Sequence, residues 1–342
     1  MNNSAMSAAT TADLDRGTAA AGRVTARPAV GRSGRTTAPA SRNRSRRRLR
    51  WQIVLFVGPA LVVYVGVVIV PVFLAAFYSF FKWNGIEALN NFVGIANYTR
   101  ALTDPVFLGA IGHNFTIVVL SLVIQGPIAL AVSLLLNRKM RGRSVFRVLV
   151  FLPYVLSEVI TGVAWYQILQ PNGALDGLMK ALGLQHAEQL WLADPKVVLW
   201  TMFAIISWKY VGFAIILFLA GLQGVPEELQ EAAQIDGASW WQTQRSITIP
   251  LLGPTIRIWG FLSIIGSLQL FDLVWVTTGG GPAEASDTMA TYMYNYGFER
   301  NQFGYGSAVA VILFIISFVI AVLYQRFILS RDADTSLSGR VN

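Results

Sequence analysis

Six stretches of this 342-residue chain are apolar enough and long enough to cross a hydrocarbon core: Ile53 to Phe80, Phe115 to Leu136, Val145 to Leu169, Val197 to Leu222, Leu251 to Val276 and Gly306 to Leu329. In lipid, water cannot satisfy backbone N–H and C=O groups, so runs of this length are restricted to helices that bond internally. The expectation is an all-α integral membrane protein with six transmembrane helices. A hydrophobic content of 54%, only 13% charged residues and a mean hydropathy of +0.52 exclude an ordinary soluble globule. The first run is too long for the apolar region of a signal peptide, so it counts as a span, with Pro59 and Pro71 signalling bends in it.

Flanking charge sets the orientation. The segment 137 to 147 carries Arg138, Lys139, Arg141, Arg143 and Arg147 without an acid, and Arg326, Arg331 and Arg340 follow the last span. By the positive-inside rule these ends face the cytoplasm, and both termini with them. Residues 1–50 hold eleven arginines against Asp13 and Asp15, 11 − 2 = +9, which equals the net charge of the chain. That segment has no apolar periodicity and is expected to be a disordered basic cytoplasmic tail, an orientation signal with some attraction for anionic lipid rather than a nucleic-acid arm. Residues 51–112 form the first span and an extracytoplasmic loop, 113–329 the remaining five helices, and 330–342 a cytoplasmic C-terminal tail.

Between the fourth and fifth runs, the loop 223–253 has unusually explicit local signals. Pro226 suits a first helical position, Glu227 and Glu228 complement the positive end of a helix dipole, and Gly237 after Asp236 suits a left-handed helix terminus. Ser239 with Gln242 spells a capping box for a second short helix, which Pro250 is expected to stop. The first helix, 226 to 236, would be roughly 16 Å long. A DNA-reading helix pair would need a basic second helix, whereas this segment has Glu227, Glu228, Glu231 and Asp236 against Arg245 alone.

Glu231-Ala232-Ala233, then Gly237, and further on Ile247, Ile249 and Pro250 resemble the EAA loop of ABC importer permeases, with Ile249 where that family usually has leucine. The resemblance extends over about 51 to 329. Pro71, Ser79-Phe80, Phe92-Val93-Gly94, Asn97-Tyr98, Asn114, Phe146-Arg147 and Leu152-Pro153 are similar to the sugar-importing branch with maltose-type and glycerol-phosphate-type permeases. So are Phe271-Asp272, Thr278 to Pro282, Tyr292, Phe298 and Gly304 to Ala308. The resemblance implies a type I ABC importer permease architecture in the cell membrane, importing a sugar or glycoside by alternating access. It implies a second permease subunit forming a heterodimer with this chain, two ABC ATPase subunits, and an extracytoplasmic sugar-binding protein. The coupling residues it implies are Glu231, Ala232, Ala233, Asp236, Gly237 and Pro250, which would dock in an ATPase cleft. No cofactor of its own is expected, since ATP would be bound by the partner ATPase subunits.

Charges at bilayer depth need a reason. Glu158, Lys209 and Asp272, with Gln269 and Trp165, are candidates for a substrate pathway, aided by Gln125, Trp208 and Tyr210; the alternative is structural pairing such as Glu158 with Lys209. Gly279-Gly280-Gly281-Pro282 lacks the Lys and Ser or Thr of a phosphate-binding loop and reads as a hinge or turn. No cysteine and only two histidines leave little for a metal site, and no catalytic constellation is evident. The other reading open at this point, an ion-coupled secondary transporter, would usually show duplicated halves, and no convincing internal repeat is present.

Overall fold

The computed structural model describes residues 54–138, 141–184 and 189–329; the tails assigned to 1–50 and 330–342 lie outside these residues. The chain divides into two units, 1–61 and 62–342. Of the first, residues 54–61 are helical and largely exposed. The second holds the rest of the helical structure, and among its described residues only the isolated bridge between Phe81 and Phe92 is strand-like.

In chain order the helices are α1 (Val54–Tyr78), α2 (Ala96–Thr103), α3 (Pro105–Leu136), α4 (Arg143–Val155), α5 (Glu158–Leu169), α6 (Ala174–Ala181) and α7 (Val198–Leu222). They continue as α8 (Glu227–Ile235), α9 (Trp240–Leu251), α10 (Gly253–Leu268), α11 (Asp272–Thr277), α12 (Met289–Tyr294) and α13 (Phe303–Leu329). Four of these, α1, α3, α7 and α13, are long and apolar enough to cross a membrane unaided, and the count reaches six if each of two bent pairs is one span.

Those pairs correct two expectations. The run 145 to 169 is not one rod: α4 and α5 meet at 96°. Leu156 and Ser157 adopt extended backbone, with ψ of 143° each, and Pro153 just before removes a helical donor. The run 251 to 276 is also interrupted. It comprises α10, a break at Gln269 to Phe271, and the short α11, while α9 meets α10 at 65°. Nor does Pro250 stop the second loop helix, because α9 passes through it to Leu251.

The reason is a recurring device. Before Pro250 the helix widens at Gln244–Thr248, where the Ile249 N–H bonds the Gln244 carbonyl, five residues back. Five-residue wide turns also occupy Val65–Ile69 before Pro71 and Ser121–Gln125 before Pro127. A proline in a regular helix lacks a donor and presses on the carbonyl four residues earlier. The wider turn moves that carbonyl aside and the helix continues. Pro59 lies in regular helix instead.

α3 is the spine of the second unit. At 32 residues it is about 48 Å long, and it contributes to all three buried clusters. Phe107, Ala110 and Val118 pack with Leu268, Tyr292, Tyr305 and Val309. Ile117 joins Met202, Ile205 and Leu273, and Ala129 and Leu134 join Ile215, Phe218 and Trp259. The side chain of Asn114 fastens this spine across the break in the fifth run: Nδ2 donates to the Ser267 carbonyl at 2.6 Å and Oδ1 accepts from the Met289 N–H at 2.8 Å. A buried amide satisfied at both ends in a low-dielectric interior is a strong locator. Glycine permits one backbone contact: a Cβ on Gly212 of α7 would collide with the Val150 carbonyl of α4.

Candidate functional site

The loop between α7 and α10 forms a projecting knob. Pro226 caps α8 rather than entering it, so the helix covers Glu227–Ile235 and is shorter than expected. Its end is a Schellman motif: the Ala238 N–H bonds the Ala233 carbonyl at 2.9 Å and the Gly237 N–H bonds the Gln234 carbonyl at 3.1 Å. This closure requires the positive φ of Gly237, +81°. A Cβ there would meet nothing within 4 Å, so backbone conformation and not space demands the glycine. Ser239 then starts α9 through a capping box, its N–H bonding the Gln242 side chain at 2.7 Å and its hydroxyl accepting from the Gln242 N–H at 3.4 Å.

The base of the knob is anchored. Val225, Thr243, Gln244, Thr248 and Leu252 are buried, and the Arg138 guanidinium lies 4.1 Å from the Trp240 ring centroid. The tip is not anchored. No α8 residue is buried, Ile235 is 85% exposed, and Glu231, Ala232, Asp236 and Pro250 are exposed, with Ala233 half-buried. A rigid turn thus presents a short helix with acidic and apolar side chains and no covering surface.

A cavity of about 280 Å³ lies among α3, α4, α7 and α10. Tyr154, Tyr210, Phe213 and Trp259 supply aromatic walls; Ser121, Gln125, Ser263 and Ser267 supply polar groups; no charged side chain lines it. The charges sit beside it, at the α4–α5 break. Lys209, only 1% exposed, donates from Nζ to the Leu156 carbonyl at 2.6 Å, and its nitrogen is 3.6 Å from Glu158 Oε1. The Tyr210 hydroxyl donates to the same Oε1 at 2.6 Å. The break frees backbone acceptors at membrane depth, where each unsatisfied group costs several kcal/mol, and Lys209 occupies one of them.

Of the pathway candidates, Glu158 and Lys209 are therefore paired with each other. Trp165 packs edge-on against Trp208 at 5.4 Å, and Gln269 and Asp272 are exposed at the α10–α11 break. None of the five lines the cavity, whereas Gln125 and Tyr210 do. Sequence reasoning missed Ser121, Tyr154, Phe213, Trp259, Ser263 and Ser267. They lie on different helices with no local pattern to link them; the only hint was hydroxyls recurring in otherwise apolar runs.

The glycine loop after α11 is a tied turn. Gly279 and Gly280 have φ of +61° and +92°, and a Cβ on Gly280 would strike the Asp287 carboxylate. Ser286 Oγ bonds the Gly281 carbonyl at 2.6 Å and is 2.8 Å from Thr278 Oγ1. Asp287 accepts from Thr291 at 2.9 Å; burial pushes its carboxyl up to about 6, with Glu284 adding to the rise and Thr291 and Arg300 opposing it.

Residues 126–331 match the family model described as the inner membrane component of binding-protein-dependent transport systems. The chain is 38% identical over 255 residues to MsmF, the multiple sugar-binding transport system permease of Streptococcus mutans, covering 74% of this chain and 87% of that protein. It is 35% identical over 274 residues to a probable ABC transporter permease of Pyrococcus horikoshii, covering 80% and 94%. In three dimensions it resembles a chain of a bacterial ABC transporter that imports the acidic polysaccharide alginate, with a TM-score of 0.73 at 22% identity over 84% of this chain and 98% of that one. A multi-pass helical bundle with an uncovered helical knob and a model match over more than half its length, this chain belongs to the family of inner membrane components of binding-protein-dependent transport systems.

Proposed function

We propose that this chain is the transmembrane permease subunit of an ATP-driven importer for a sugar or glycoside. The observation that carries the reading is the α8 knob: a short helix, locked by a Schellman turn and a capping box, anchored at its base and bare at its tip. Such a helix suits a groove on a partner. The Glu231 to Gly237 segment would dock in an ATPase cleft and pass closure of the ATPase pair to α9 and α10. The names of relatives support the cargo. MsmF of Streptococcus mutans is named for multiple sugars, and the permease NgcF of Streptomyces coelicolor, 32% identical over 280 residues, for diacetylchitobiose uptake. The cavity supports it too, since aromatic faces with hydroxyls around them match the apolar faces and hydroxyl edges of sugar rings. In this reading the chain pairs with a second, distinct permease on two ATPase subunits, receives cargo from an extracytoplasmic binding protein, and keeps both termini in the cytoplasm.

The test is uptake in proteoliposomes holding this chain with the permease, ATPase and binding protein encoded beside it. Uptake of labelled sugar that requires enclosed ATP and persists when ionophores collapse every ion gradient is the expected result. Uptake that follows an ion gradient without ATP would overturn the reading in favour of a secondary transporter.

A further inference from the structure

The charges beside the cavity are unequal in number. Glu158 accepts from Tyr210 and pairs with Lys209, and the Asp272 carboxylate at the start of α11 is close enough for its field to act on Tyr210. Two carboxylates therefore face one ammonium. That ammonium is buried, and its shortest contact is with the Leu156 carbonyl. Lys209 is thus not offered to a ligand, while Tyr210 carries the network to the cavity wall through a single side chain.

We propose that Glu158 is a specificity-determining residue: by masking Lys209 and holding the Tyr210 hydroxyl, it keeps the cavity for uncharged ring ligands and turns away anionic ones. The proposal rests on the cavity being the sugar passage. In a poorly solvated site a ligand carboxylate loses its hydration and must find a cation. Here the one nearby cation is engaged and outnumbered, so an acidic sugar is rejected and a neutral one meets only rings, hydroxyls and an amide. Removing the mask should reverse the preference, because Lys209 would keep its charge without a counter-ion.

The experiment measures equilibrium dialysis of p-nitrophenyl glucoside and p-nitrophenyl glucuronide, nearly equal in size and different in charge, against the full-length protein in nanodiscs. Wild type should favour the glucoside by on the order of tenfold, the effect of one close charge interaction in a site of intermediate dielectric. Glu158→Gln should bring the ratio towards one, Glu158→Gln with Asp272→Asn should favour the glucuronide, and Glu158→Asp should keep the wild-type order. An unchanged ratio in the double variant would overturn the proposal. Gly266→Trp tests the cavity separately, because Gly266 lines it and a Cβ there meets nothing within 4 Å. If glucoside binding survives that change, or wild type binds neither probe, the cavity is not the passage. If Gly266→Trp abolishes binding while the charge variants leave the ratio unchanged, the passage stands and the role of Glu158 falls.

Discussion

Replacing Gly237 by valine isolates the shape of the knob from its chemistry. The residue has φ of +81° with open space around its Cβ position, so the substitution introduces no collision and acts through backbone conformation alone. A left-handed residue with a side chain costs roughly 1–2 kcal/mol, and β-branching puts valine at the upper end. Two bonds depend on that conformation, Ala238 N–H to Ala233 and Gly237 N–H to Gln234, and both close the last turn of α8. At about 2 kcal/mol the closed turn loses roughly 30-fold in population relative to opened forms, since each 1.4 kcal/mol is a factor of ten. Gly237→Asn is the control, as asparagine tolerates the left-handed region and should retain most of the closure. The assay is ATPase co-purification, ATP turnover stimulated by loaded binding protein, and labelled-sugar uptake in the same vesicles. Gly237→Val should lose coupled uptake at normal membrane levels, and Gly237→Asn should stay near wild type. Equal wild-type values for both would refute the reasoning and leave the loop an ordinary connector.

Gly212→Ala should destabilise by about 3 kcal/mol or more and lower the heat resistance of the purified protein, because its Cβ meets the Val150 backbone, which cannot rotate away. Lys209→Met should cost about 3 kcal/mol by leaving the Leu156 carbonyl and Glu158 without their cation; thermal unfolding followed by size exclusion would show the drop, and Lys209→Arg should recover part of it. Asp287 has a carboxyl raised above its unfolded value, so its contribution is fully present below about pH 4 and is lost as pH rises through about 6. Asp287→Asn should flatten the change in melting temperature between pH 4 and 7; an unaltered profile would show that this carboxyl does not titrate there.

What could be read from the chain and what could not divides along the range of the interactions. The knob was legible because each of its determinants, Glu227, Gly237, Ser239 and Gln242, acts within a few residues of itself. Membrane-length helices were legible for the same reason, since hydropathy is a property of a contiguous window. The right-angle break at Leu156 and Ser157 was hidden inside a continuously apolar run. Its stabilising partner, Lys209, lies 53 positions away on another helix. Pairing of Glu158 with Lys209 could be named as one of two options but not chosen, because the choice depends on the bend. The cavity was legible least of all: Ser121, Tyr154, Phe213 and Ser263 become neighbours only through the crossing of four helices. Pro250 misled because its usual local effect is relieved by the wide turn before it.

That wide turn, and its counterparts before Pro71 and Pro127, also has an evolutionary consequence. Each holds one residue more than a regular helix would use over the same rise, so deleting one residue from 121–125 would leave α3 intact in outline. Everything after it would rotate by about 100°, carrying Ala129 and Leu134 away from the α7 side chains they now meet. Among relatives of this chain, a one-residue gap at such a turn is a change of membrane face, whereas the same gap in an exposed connector changes only its length.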